Sequence, residues 1–168
     1  MKIRGKTKFD VPRKVVRLTR TTSGEGGKEA LEELTIRVRA LPVGTETKMF
    51  DLFPEAPKPQ QWATNGQGVI LRDPETKKPQ LADIETPEWR DANRKATHGR
   101  MAYILFHGID DPDVEKPTAP EKDTPDFYAA FFQELVEFGF TMGDLSRLMS
   151  EITDLMNLSE DIERARSS

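Results

Sequence analysis

The sequence predicts an α+β fold. It has an N-terminal antiparallel β-hairpin, a Pro-rich extended middle with a second small hairpin or arm, and a C-terminal helical domain with an αα-hairpin. Three observations carry this. Leu34, Ile36, Val38 and Ala40 alternate strictly with Thr35, Arg37 and Arg39, the period of a half-buried strand. Prolines 54, 57, 59, 74, 79 and 87 exclude a continuous helix between them. Beyond them, apolar residues recur at helical spacing behind recognisable start signals.

Residues 14–20 repeat the alternation more weakly, with Val16 and Leu18 facing one way and Arg17 and Thr19 the other. The stretch Ser23-Gly24-Glu25-Gly26-Gly27 supplies the connecting loop, since glycine adopts positive φ freely. Together they give a twisted hairpin with one basic face. In the middle region, 69–72 and 81–84 flank the turn Asp73-Pro74-Glu75-Thr76-Lys77-Lys78, and Asp-Pro is a turn starter. The chain thus divides into a basic hairpin region (1–54), a Pro-rich linker or hairpin arm (55–86) and a helical domain (87–168).

Thr86-Pro87-Glu88 reads as N-cap, N1 proline and first-turn acid, opening a helix expected to run to His107 with Gly108 as a left-handed stop. Trp89, Ala92, Ala96, Gly99, Tyr103 and Phe106 share one face of it. Met101 and Leu105 lie opposite, so its last turns must be buried on two sides or meet a partner. Thr124-Pro125-Asp126 repeats the start signal for a helix carrying Phe127, Phe131, Leu135 and Phe138, stopped by Gly139. Thr141 with Asp144 forms a short capping box for the next helix, over 143–157, and Ser159 opens a last short one. Leu145, Leu148, Met149, Ile152, Leu155 and Met156 form the longest helical stripe in the chain.

Hydrophobic residues make up 36% and charged residues 32%, which allows a modest core under a large solvated surface. No apolar run approaches the roughly 20 residues a bilayer crossing needs, and the basic start lacks the apolar segment of a secretory signal. Cysteine is absent, which removes disulfides, thiolate metal sites and cysteine nucleophiles and fits a reducing compartment. The net charge of −4 conceals a polarity: eight Lys or Arg against one acid in residues 1–20, fifteen acids against five bases from Asp110 onward. Either a nucleic-acid arm or pairing between the two halves accounts for it.

Catalytic, metal and cofactor sites fare poorly. His98 and His107, nine residues apart on one helix, fall on opposite faces and cannot share an ion. An EF-hand starting at Asp111 would need glycine and a carboxylate where Lys116 and Lys122 stand. Gly5-Lys6-Thr7 lacks the upstream glycine and the strand–helix context of a phosphate loop. The sequence therefore implies no catalytic residue, no metal and no cofactor. Nor does the third helix suit DNA, because Asp144, Glu151 and Asp154 outnumber Arg147 on its polar face. Arg17, Arg37 and Arg39 offer a weaker nucleic-acid surface, with no aromatics between them for stacking.

The Leu/Met stripe has two readings, core alone or core plus a groove. Met142, Met149 and Met156 recur every seven residues along its side, and flexible thioethers suit surfaces that accept varied apolar partners. With Met101, Leu105 and Phe132 they make up the predicted partner-binding set.

The order and texture of the chain resemble the tail assembly chaperones of long-tailed bacteriophages. The likeness runs from the strand Glu33–Leu41 and Pro42-Val43-Gly44, through the 72–79 turn and an aromatic-rich helix, to Phe138-Gly139-Phe140-Thr141-Met142-Gly143-Asp144-Leu145 and the charged close Asn157–Arg166. It covers roughly residues 32–166. The resemblance implies a non-enzymatic protein that coats a tape-measure protein, hands it to tail-tube subunits in the host cytoplasm and leaves before the virion matures. Self-association is compatible with it; a membrane partner is not expected. The alternatives are a nucleic-acid-associated protein using the basic hairpin, or a minor structural component of the virion. The family's domains are mainly helical, whereas this chain leads with β structure.

Overall fold

The computed structural model describes residues 11–23 and 29–166, with side chains described over 11–19 and 31–156. The basic residues 1–10 and the glycine loop at 24–27 lie outside the described residues. The fold is α+β, with two small antiparallel sheets and four helices among the described residues. Strands β1 (Arg13–Ser23) and β2 (Glu29–Arg39) pair with Val16 opposite Ile36 and Leu18 opposite Leu34. Val16, Leu18, Ile36 and Val38 are buried on one face, and Arg13, Arg17 and Arg37 are exposed on the other. A period of two with one face covered requires this segregation.

After β2 comes helix α1 (Thr45–Leu52), which the sequence reading does not contain. Its helical signal is slight: an eight-residue element opened by Gly44 at φ 85° and held down through Met49 and Phe53. The middle region forms a small arm. Strand β3 (Gln60–Trp62) pairs with β4 (Leu81–Asp83), while 69–72 contributes only single bridges, Thr64 to Ile70 and Arg72 to Pro79. The predicted partner of 81–84 is thus replaced by a strand from the proline-flanked 60–62. The 73–78 turn forms as expected, with Asp73 accepting hydrogen bonds from the backbone N–H groups of Glu75 and Thr76. Trp89 Nε1 donates to the Ala56 carbonyl at 2.8 Å and ties the arm to the helices.

Helix α2 (Pro87–Gly108) starts on Thr86, whose hydroxyl accepts from Trp89 N–H; α3 (Pro125–Glu137) starts the same way on Thr124. Gly139, at φ 99°, stops α3. Its N–H reaches the Val136 carbonyl and the Phe140 N–H reaches that of Leu135, the two bonds of a Schellman motif. Thr141 and Asp144 then exchange side-chain-to-backbone hydrogen bonds in a capping box. Helix α4 runs unbroken over Met142–Arg166, so Ser159 lies inside it and opens no separate helix. Gly108 is also not the predicted left-handed stop. It is helical, and a Cβ there would lie 2.4 Å from Ile152 Cδ1, so its value is the close crossing of α2 and α4.

Both α3 and α4 pack on α2, and α4 also covers the hairpin. The turn between α3 and α4 is tight, but the αα-hairpin is opened across α2. One core therefore runs from Val16 and Ile36 through Leu148 and Ile152 to Leu105, Phe106 and Tyr128. The doubly apolar end of α2 is buried on two sides, the first of the two outcomes its sequence allows.

Candidate partner-binding surfaces

The stripe of α4 divides as its spacing suggests. Leu145, Leu148 and Ile152 are fully buried. At 100° per residue the line through Met142, Met149 and Met156 lies about 70° from the centre of those three. Met149 and Met156 are half-buried against the core edge, and Met142 is 46% exposed. On the opposite flank of the stripe, Glu151 pairs with Lys14 of β1. The methionine line is therefore on the flank of α4 away from the Lys14–Glu151 contact, partly exposed along its length.

The rest of the predicted set divides. Phe132 is half-buried on α3 and stacks on His98 with ring centroids 4.5 Å apart. Met101 and Leu105 are core residues, 6% and 0% exposed. They occupy the end of α2 held between α3 and α4, so they are already covered and offer nothing to a partner. The accessible part of the set is Met142, Met149, Met156 and Phe132.

His107 joins a polar chain inside the helical layer. The buried Tyr128 hydroxyl donates to Asp123 at 2.7 Å and lies 3.0 Å from His107 Nε2. Since the hydroxyl has one proton, Nε2 is the donor in the second bond and His107 is held in that tautomer. Burial pushes the His107 pKa below its ordinary value. Burial and the Asp123 carboxylate raise that of Tyr128 beyond the usual phenol range. The group fastens α3 to α2. Among the described residues no group of three or more His, Asp or Glu is placed to hold a metal ion, and no helix is long and apolar enough to cross a membrane.

Part of the basic face of the hairpin is engaged within the chain. Arg13 Nε lies 2.6 Å from Asp110, whose pKa it lowers, and Arg17 lies 3.6 Å from Glu33. Arg39 Nε donates to the His107 carbonyl. Lys116 Nζ donates to the carbonyls of Phe106 and Ile109 at 2.8 and 2.7 Å, which caps the end of α2. The acidic 110–124 segment is therefore partly structural.

Sequence reasoning missed a second surface. A cavity of about 370 Å³ lies between β2 and the end of α3, floored by Ile36, Phe131, Leu135 and Phe140. Phe138 stands at its mouth, 76% exposed. The sequence places Phe138 in the same apolar stripe as Phe131 and Leu135, but it falls at the Schellman turn and stays exposed while those two are buried, and no sequence signal marks the neighbouring strand edge. No family model matches the chain, and comparison with curated proteins and with solved structures finds no significant match.

Proposed function

We propose that this chain is a non-enzymatic assembly chaperone that holds an amphipathic helix of a larger protein along the open border of α4. The observation that carries the reading is the methionine line beside a separately buried Leu/Ile stripe. Met149 and Met156 close the edge of the core yet stay partly exposed beside Met142, and helix-in-groove recognition uses such anchors at i, i+7 spacing. The resemblance to tail assembly chaperones supplies the partner: a tape-measure protein, passed on to tail-tube subunits in the host cytoplasm. The engagement of Arg13, Lys14, Arg17 and Arg39 within the chain itself makes the hairpin a weak alternative site for nucleic acid.

Co-expression with a tape-measure fragment tests this. The triple change Met142→Ser, Met149→Ser, Met156→Ser should abolish co-purification while the hairpin and helices stay folded by circular dichroism. Undiminished capture by the folded triple variant sinks the proposal.

A further inference from the structure

The edge of β2 is closed at one end only. The Ala40 N–H bonds to the Pro12 carbonyl, which makes the even-numbered residues of β2 the ones that bond to β1. The odd-numbered residues turn their N–H and C=O outward. At Arg37 both are engaged: the carbonyl accepts from Asp110 N–H at 2.9 Å, and the N–H donates to the Asp111 carboxylate at 2.7 Å. Pro112 then ends this pairing, because the chain turns away with Val114 N–H bonded to the Asp111 carbonyl. At Thr35 and Glu33 the outward backbone groups have no partner among the described residues.

This open stretch borders the 370 Å³ cavity, whose lining includes Leu34, Thr35 and Ile36. An edge strand with an apolar floor beside it is the arrangement that accepts an added strand: backbone bonds give affinity and alternate side chains fill the pocket. The opposite edge of the hairpin is guarded. There Lys14 points to the covered face and pairs with Glu151, an inward charge of the kind that discourages strand addition. Charge selects the occupant of the open edge. Asp111, Asp113, Glu115 and Glu134 line the cavity, and among the described residues no Lys or Arg does.

We propose that β2 takes up, along Glu33–Thr35, an extended segment of a second protein that carries apolar and Lys or Arg residues in turn, two positions apart, on the face it shows the cavity. The apolar side chain enters the cavity over Phe131, Leu135 and Phe140, and the basic one beside it on the same face meets the four acids. A partner in trans is favoured over this chain's own basic start. The chain enters β1 on the far side of the hairpin, and Ile109–Asp111 occupies the β2 edge in between. This surface is separate from the methionine border of α4 and stands whether or not that border binds a helix.

The test is fluorescence polarisation with a labelled ten-residue peptide that carries lysine and phenylalanine in turn at every second position and threonine between them, and a glutamate-for-lysine control. The lysine probe should bind the full chain and the control at least tenfold more weakly. Thr35→Pro removes one outward N–H without touching the β1 ladder and should weaken binding at least tenfold. Phe138→Ser should do the same. Thr19→Pro, the equivalent change on the guarded edge, should leave binding intact. Absence of binding to the unaltered chain, or equal binding by Thr35→Pro and the unaltered chain, overturns the proposal. If deleting residues 1–10 is needed before the probe binds, or if the chain self-associates through this edge and Thr35→Pro disperses it, the occupant is the chain itself and the trans assignment is overturned.

Discussion

Replacing Gly108 with Ala distinguishes two roles for one glycine and puts a number on the α2–α4 crossing. The new methyl would meet Ile152 at Cδ1 (2.4 Å), Cγ1 (2.9 Å) and Cγ2 (3.0 Å), so all three nearest atoms belong to one fully buried side chain. Overpacking of this kind costs about 1–3 kcal/mol. Ala gains about 1 kcal/mol over Gly in a helix interior, less near an end. The net expectation is a loss of roughly 0.5–2 kcal/mol. Ile152→Ala alone should cost about 2–5 kcal/mol. In the double variant the methyl introduced at position 108 enters the space that Ile152 vacates, so the two costs should fall short of their sum by about 1 kcal/mol or more. Urea denaturation of the four proteins gives the coupling. A left-handed stop at position 108 would give a loss independent of residue 152. Strict additivity, or a Gly108→Ala protein more stable than the parent, would refute the close-crossing account.

Three further outcomes are expected. Met149→Ala and Met156→Ala should each cost less than half of what Leu145→Ala costs, the last being about 2–5 kcal/mol, with thermal melts as the readout; equal losses would make the methionine line ordinary core. His107 is held neutral with a depressed pKa, so the unfolded chain takes up its proton first as pH falls. Stability should therefore be full above the ordinary histidine value of 6.5 and decline below it until the folded residue also protonates. His107→Gln should flatten the difference between urea melts at pH values of about 7.5 and 5.5, on either side of the ordinary histidine pKa, and an unchanged difference would exclude His107 as its source. Lys14→Val should leave the chain folded but associating, because it removes the inward charge from the guarded edge; light scattering that stays monomeric across concentration would count against that role.

The parts of this fold written in local chemistry were legible in the sequence. Thr86, Thr124, Thr141 with Asp144, and Gly139 each form the cap their spacing announces, because a cap is satisfied by residues three or four positions away. Alternation likewise separated Ile36 and Val38 from Arg37. What stayed hidden depends on distant partners. Gly108 looks like a stop until Ile152 is placed against it, and β3 has no pattern of its own until β4 pairs with it. For the candidate site, heptad spacing located the methionine border, but only packing shows that Met101 and Leu105 are covered. The cavity beside β2 joins residues from a strand, a loop and a helix end, and no sequence period connects them.

The cover of the hairpin by α4 also governs how the chain must be made. Lys14 and Glu151, which meet across that contact, are 137 residues apart. At the usual 5–20 residues per second, synthesis reaches Glu151 roughly 7–27 s after Lys14. During that interval Val16, Leu18, Ile36 and Val38 have no helix to lie against, and a two-stranded hairpin is marginal by itself. The nascent protein therefore passes through a stage in which its own apolar strand face is bare, and its production depends on how well that face is shielded until the last helix arrives.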